Sequence, residues 1–454
     1  MPYDPTNPLS LRAAEILRSN DTGESIKAAP SLYPHQWSWD AAIISIGLAH
    51  FDLDRAVAEM RHLLRGQWAN GMIPHILYNP DVNHTAYFPD SARWGSRINS
   101  ADSPRNHDTS GIAQPPVHAI AIRQLIDLAP AEKAKAIAHE FYQPLLEWHR
   151  YLMSARDPEN SGLVTIVHPW ESGMDNSPRW DAAMARIQVP RDDLPPYTRR
   201  DLAHVADASQ RPTDEDYDRY IWILEVLKRG QYRVESIYER LPFRMKDVFF
   251  SALLVSANES LIQIGTLAEA DLEDLDILEE WIHRGRRGLA AAWDDDHGCC
   301  FDTDLITNEP VKVESVAMIS PLLAGQLTQS MRMSLRQLWH SPRMVGHPSL
   351  RFPLPPTTSI SAPQFDPSRY WRGPIWPVIN WLLWYAWDRI GEFEIADELK
   401  NTSLQQISQS GFYEYMNPLT GEGLGSDNQS WTAAVTLDWL AGAPINMPVR
   451  IIKE

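Results

Sequence analysis

The stretch Asp54-Arg55-Ala56-Val57-Ala58-Glu59-Met60-Arg61-His62-Leu63-Leu64-Arg65-Gly66-Gln67 decides how the fold is read. Its apolar residues recur at three and four positions, so Val57, Met60 and Leu64 fall on one stripe that Trp68 continues, and Gly71 ends the run. A helix with one such stripe packs against a neighbour and shows its other face to water. The same spacing recurs at about 8 to 18, 38 to 50, 116 to 128, 131 to 154, 214 to 228, 245 to 268, 273 to 293, 317 to 338, 374 to 390, 393 to 409 and 430 to 441. Strand signals are few and short, Leu163 to Val167 among them, and nothing alternates helix and strand as a parallel sheet requires. The expectation is an all-α fold, and roughly a dozen helices suit a toroid of inner and outer partners whose loops converge on one end.

Composition narrows the function. A net charge of −18 argues against nucleic acid and against an anionic membrane, since like charges repel. The two cysteines, Cys299 and Cys300, are adjacent and offer neither a disulfide framework nor a spaced metal pair, which fits a reducing, cytoplasmic setting. The N-terminus lacks a basic segment followed by an apolar core, and no apolar run is expected to reach the roughly 18 residues of a membrane span. Eighteen tryptophans and fifteen tyrosines beside thirty-five prolines imply aromatic surfaces on stiff loops, the natural partners of the C–H faces of sugars. A small-molecule ligand is therefore expected; a homo-oligomer is left open.

The loops carry the chemistry. Residues 69 to 115 hold almost no helical pattern yet include His75, Tyr87, Phe88, Arg93, Trp94 and Gln114, and irregular regions follow at 176 to 213 and 341 to 373. With no linker or composition break, one domain spanning 1 to 454 is expected, in which 69–115 and 176–245 form a cap over the site. The loop from His168 to Asp181 packs Glu171, Asp175 and Asp181 with Trp170, Trp180 and Arg179 around Gly173 and Pro178. Burial against indoles would raise the pKa of one carboxylate, the environment a general acid for glycoside cleavage needs. The plainer alternative is a loop whose carboxylates pair with Arg179. Three more segments put aromatic rings beside charged groups at helix ends: Tyr33-Pro34-His35-Gln36-Trp37-Ser38-Trp39-Asp40, Tyr370-Trp371-Arg372-Gly373-Pro374-Ile375-Trp376-Pro377 and Phe412-Tyr413-Glu414-Tyr415-Met416-Asn417-Pro418. Taken singly, Ser38 and Asp40 would serve as helix caps, Trp371 and Trp376 as core, and Glu414 as a solvated charge. Jointly they match what a pyranose pocket requires. Trp293-Asp294-Asp295-Asp296-His297-Gly298 reads as a solvated turn without calcium-loop spacing, and Gly421, Gly423 and Gly425 lack the preceding strand of a phosphate loop.

The order WSWD, ESGMDNSPRWD, YWRGPIWP and YEYMNPLTGEGLGSDNQSW resembles the inverting α-glycosidases of glycoside hydrolase family 63 over most of the chain. Within that family it is most similar to short bacterial enzymes that hydrolyse glucosylglycerate and mannosylglycerate, and the ESGxD segment is similar to one in family 37 trehalases. The resemblance implies an (α/α)6 barrel and a two-carboxylate inverting mechanism, with Asp175 as general acid and Glu414 as general base. Glu171 is the rival acid, set aside because the family places its acid at the end of ESGxD. Inversion calls for carboxyl groups roughly 6.5–9.5 Å apart, so that a water fits between. Around the glycosyl ring the resemblance places Tyr33, Trp37, Trp39, Asp40, Gln114, Trp170, Gly173, Trp371 and Trp376. The leaving-group side falls to Arg211 and Tyr217, within Ser209-Gln210-Arg211-Pro212 and Glu215-Asp216-Tyr217, together with Gln429, while Tyr87 and Tyr370 close the cavity. An arginine suits a glycerate carboxylate because its fork engages both oxygens; the plainer reading of Arg211 and Tyr217 is a surface ion pair. No metal or cofactor is called for, since two carboxylates suffice. The rival functions are hydrolysis of a neutral disaccharide such as trehalose, and sugar binding without catalysis.

Overall fold

The computed structural model describes residues 3–30, 32–201 and 210–442. Ser209 therefore lies outside the described residues. Among the described residues, helices alternate between two types. Ser38–Ala49, His118–Leu128, Val248–Leu267, Pro377–Arg389 and Ser430–Ala441 are apolar on nearly every side and almost wholly buried. Such helices can only be interior. Pro8–Ser19, Leu53–Leu64, Ala131–Ala155, Leu272–Ala291, Gln329–His340 and Phe393–Ser410 bury one stripe and expose the rest. The buried helices and the 3-10 stretch Val316–Leu322 form a ring in chain order, and Ser430–Ala441 packs back on Ser38–Ala49 to close it. That closure is tight: a Cβ added at Gly47 would lie 2.3 Å from the Ala434 Cα. Each inner element is joined to an outer helix next to it in the chain or, for Ser430–Ala441, to the first helix. This is an (α/α)6 barrel.

Two expectations need correction. The region 317 to 338 is not one helix, because Pro321 removes a backbone donor and Gly325 takes φ +80°, breaking it into Val316–Leu322 and Gln329–His340. In the 54–67 stretch, the helix runs Leu53–Leu64, capped by Asp52 accepting from the Arg55 amide, and Leu63 rather than Leu64 joins Val57, Met60 and Trp68 in the core. Val248–Leu267 has the length and composition of a membrane span, yet it is an inner barrel helix buried on all sides. Trp293–Asp294 pairs with Cys299–Cys300 as a hairpin across Gly298, where Asp294 is held by Lys312 and His297.

The inner helices all begin at the end where the long loops gather, and short strands pin those loops. Gln36–Trp37 pairs with Ile76–Leu77, setting Trp37 opposite Ile76. Thr165–Ile166 is the edge of a four-stranded antiparallel sheet with Met245–Lys246, Asp302–Asp304 and Glu309–Val311. Tyr415–Met416 pairs with Gly423–Leu424, and Met416 bridges to Ile375. The residues just before and inside the first turns of the inner helices thus converge on one cavity.

Candidate active site

The His168 to Asp181 loop leaves the sheet edge through the 3-10 turn Pro169–Ser172. Gly173 follows at φ +70°, a left-handed conformation in which a Cβ would meet the Trp39 ring at 2.9 Å and Pro115 at 3.0 Å. Its carboxylates are then sorted by their partners. Glu171 is fully buried, binds the Arg156 guanidinium through both oxygens at 2.7 Å, and accepts from the Val167 and Ala113 amides at 2.7 and 3.0 Å. All of its lone pairs face the scaffold, so it is no candidate proton donor. Replacing Glu171 with glutamine should cost roughly 3–5 kcal/mol of unfolding free energy by orphaning Arg156, as measured by urea denaturation; an unchanged midpoint would contradict this. Arg179 pairs with Asp302 and Asp247 from other segments, all at 2.7 Å, rather than with the loop's own carboxylates. Asp181 binds Arg372 at 2.6 and 2.8 Å, tying the loop to the Tyr370–Pro377 segment. Asp175 remains, without an ion pair among the described residues, and opens on the cavity.

Two further carboxylates, Glu414 and Asp40, share that cavity. Glu414 is buried; its Oε1 accepts from the Tyr33 hydroxyl at 2.7 Å and the Tyr370 hydroxyl at 3.4 Å, and its Oε2 from the Ser426 amide at 3.1 Å. Burial pushes its pKa up, while Arg211 and these donors pull against that rise. Asp175 has no such donor set beyond its own amide. Burial lifts its pKa to about 7 despite the nearby Arg211, with the charge of Glu414 adding to the rise. Asp40, in the first turn of Ser38–Ala49, is also raised well above the ordinary range by burial and by Glu414 and Asp175. Asp40, Asp175 and Glu414 are all raised by burial in one cavity while Asp201 there is held ionised by Arg199 and Arg211, so the first three favour keeping at least one proton among them. The expected contribution of Trp170 to the environment of Asp175 fits its place in the cavity wall; Trp180 instead donates its indole N–H to the Met174 carbonyl at 2.9 Å and faces Arg179 and Phe243.

The cavity holds ≈ 920 Å³ of non-atom space, mouth included, a size suited to a small ligand. Tyr33, Trp37, Trp39, Asp40, Tyr87, Gln114, Trp170, Gly173, Asp175, Arg211, Tyr217, Tyr370, Trp371 and Glu414 all line it. Trp371 sits at φ +59°, a strained backbone for a large residue, and lies flat on Trp376 with ring centroids 3.5 Å apart. Trp376 is thereby placed behind the wall rather than in it: fully buried, it is the support on which Trp371 rests. Gln429 likewise does not line the cavity. It is buried at the start of Ser430–Ala441 with neither amide atom hydrogen-bonded. Glu215 pairs with Arg219 on the surface, and Asp216 completes a capping box with Thr213, so both serve the helix Asp214–Arg229. Arg211 is no surface ion pair. Its guanidinium lies 4.4 Å over the Tyr370 ring, and its Nε and Nη1 are buried without a hydrogen bond.

Leu32, Ala86 and Pro212 complete the wall together with His75, Phe88, Arg200, Asp201, Tyr220 and Trp431, which sequence reading does not single out as site residues. Tyr220 lies one turn after Tyr217, and its hydroxyl donates to the Asp175 carbonyl at 3.1 Å; the three-residue spacing was a usable signal. His75 is stacked on Trp170 at 6.3 Å and kept neutral by burial, which brings its pKa to about 3. Among the described residues no cluster of side chains could hold a metal ion.

Comparison with known proteins follows the same outline. The model of the mannosylglycerate hydrolase MGH1-like glycoside hydrolase domain matches residues 33–432. A glucosylglycerate hydrolase of Mycolicibacterium hassiacum is 44% identical, covering 97% of this chain and 100% of the relative. A mannosylglycerate hydrolase of Thermus thermophilus is 41% identical over 94% of this chain and all of the relative. The structure of a family GH63 mannosylglycerate hydrolase from Thermus thermophilus, in complex with Tris and D-glycerate, superposes with a TM-score of 0.87 at 40% identity, covering 95% and 100% of the two chains. Yeast neutral trehalase, at 14% identity and a TM-score of 0.58, shares the fold alone. By motif order, barrel architecture and near full-length identity, the chain belongs to the MGH1-like glycoside hydrolases of family GH63.

Proposed function

We propose that this glycoside hydrolase cleaves an α-linked glycosylglycerate, glucosylglycerate or mannosylglycerate, with inversion, releasing the hexose and D-glycerate in a reducing, cytoplasmic setting. The observation that carries the reading is one cavity in which Asp175 and Glu414 face a buried, cationic Arg211. The relatives at 41–44% identity hydrolyse these two compounds. Asp175, with its pKa lifted to about 7, holds the proton that the departing glycerate oxygen must receive. Glu414, steadied by two tyrosine hydroxyls and the Ser426 amide, takes a proton from the water that attacks the anomeric carbon from the other face. Trp37, Trp39, Trp170 and Trp371 cover the sugar's C–H faces, and Asp40 accepts from its hydroxyls. Arg211 receives the glycerate carboxylate, with Tyr217 beside it. The 69–115 and 176–245 segments act as the cap, contributing Tyr87 and Gln114 from one and Arg211 and Tyr217 from the other.

The pH dependence has a definite sign. Asp175 works only while protonated, so kcat/KM should fall above about pH 7 and approach about a tenfold loss per unit. A rate profile flat from pH 6 to 9 would contradict this assignment. The substrate is tested by incubating the enzyme with glucosylglycerate, mannosylglycerate, trehalose and maltose. Release of hexose from one or both glycerates and little from the neutral sugars is expected. Preferential release from trehalose or maltose would instead favour a neutral-disaccharide hydrolase, and binding without turnover of any would favour a sugar-binding protein.

A further inference from the structure

Tyr33, Tyr415 and Glu414 attract the charge of Arg211, and two further contacts of different kinds bear on its orientation. The Tyr370 ring lies against its flat face, with 4.4 Å from the guanidinium carbon to the ring centroid. A ring face fixes the plane of a guanidinium and leaves it free to rotate within that plane. The second contact removes that freedom. Asp201, itself lining the cavity and only 9% exposed, approaches the Nε edge of Arg211 through its Oδ2 at 3.5 Å. Asp201 is anchored in turn by Arg199, whose Nη2 meets Oδ2 at 2.7 Å and whose Nε meets Oδ1 at 3.1 Å. Arg199 is fixed by Asp214 at 2.8 Å and by the Tyr217 ring at 4.5 Å.

We infer that Asp201 is a positioning residue for the leaving-group subsite: it sets the in-plane orientation of Arg211 so that the guanidinium's terminal nitrogens present a fixed fork to an anionic leaving group. This rests on the glycosylglycerate reading and assigns the specificity of that site to a relay running Asp214, Arg199, Asp201, Arg211. The sign of its effect follows from the partners. Taken as a bare negative charge, Asp201 would repel a substrate carboxylate, and removing it would tighten binding. Its charge is already offset by the bidentate Arg199, however, so the orienting effect dominates and removal should weaken binding. A neutral leaving group has no use for the fork and should be indifferent. Asp201 and Arg199 act on Arg211 and on each other rather than on Asp175 or Glu414, so the effect of their loss belongs chiefly in KM.

The test compares the wild type with Asp201→Asn and Asp201→Glu on glucosylglycerate and on glucosylglycerol, which carries CH2OH in place of the carboxylate, with D-glycerate affinity measured separately by calorimetry. Asp201→Asn should raise KM for glucosylglycerate and Kd for D-glycerate about tenfold, as loss of one charge-assisted orientation contact would. Its kcat and its KM for glucosylglycerol should stay within about twofold of wild type, and Asp201→Glu should recover part of the lost affinity. Unchanged or tighter D-glycerate binding by Asp201→Asn overturns the inference alone, as does an equal loss on both substrates. A wild type that neither binds D-glycerate nor hydrolyses glucosylglycerate overturns the inference and the substrate reading together. Should Asp201→Asn fold poorly, Arg199→Lys breaks the same relay one step back; it should also raise Kd for D-glycerate, and no change there would again overturn the inference.

Discussion

Replacing Asp175 with asparagine, or Glu414 with glutamine, should lower kcat about 10²–10⁴-fold while D-glycerate still binds with near wild-type affinity. The amides keep the size of the side chains and remove only the proton chemistry. For Asp175 the loss falls on leaving-group departure, since asparagine cannot donate a proton and return as its conjugate base. For Glu414 it falls on water activation. The two variants should differ in a way that separates the roles. A substrate whose leaving group needs no protonation, such as an α-glycosyl fluoride, should rescue Asp175→Asn and leave Glu414→Gln impaired. Glu171, held by Arg156 and two backbone amides, should show the reverse pattern to both: loss of stability with little effect on catalysis in the protein that remains folded. Steady-state kinetics with calorimetry checks all three, and an unchanged rate in either catalytic variant would dismantle the mechanism.

Arg211→Ala should raise KM for a glycosylglycerate about 10²-fold or more, the range expected when one partner of a buried charge pair worth roughly 2–5 kcal/mol is removed. The effect on maltose or trehalose should be small. The protein's net charge of −18 supplies no general attraction for an anionic substrate, so the selectivity must come from this local cation. A second consequence can be read from pH. Arg211 lowers the pKa of Asp175, so its loss should move the alkaline limb of kcat/KM to higher pH. Kinetics of the variant across pH 6 to 9 on charged and neutral substrates measures both effects. Equal loss on the two substrate classes would place Arg211 in the scaffold instead.

Much of this is legible in the local pattern of the chain. Three-and-four spacing located the barrel helices because interior and surface helices differ in how far their apolar faces extend, and that difference is written locally. The 317 to 338 region was misread because one proline and one glycine break an otherwise regular pattern. At the site, indoles beside carboxylates announced the cavity wall, but sequence could not tell wall from support: Trp371 and Trp376 stand five residues apart in one motif, and stacking puts only the first in the cavity. Trp180 and Gln429 were drawn into the site by their motifs, yet Trp180 packs on Arg179 and Gln429 lies buried behind the lining. Asp201 and Arg200 were invisible for the opposite reason. They sit in an irregular cap segment with no period and no motif, and only the fold brings them against Arg211 and the cavity.

The most direct test of the central claim is the anomer first released. Proton NMR of the enzyme acting on α-glucosylglycerate or α-mannosylglycerate should show D-glycerate appearing together with the β-hexose, which mutarotates to the equilibrium mixture only afterwards. Initial accumulation of the α-hexose would mean retention and would contradict a single displacement by water between Asp175 and Glu414.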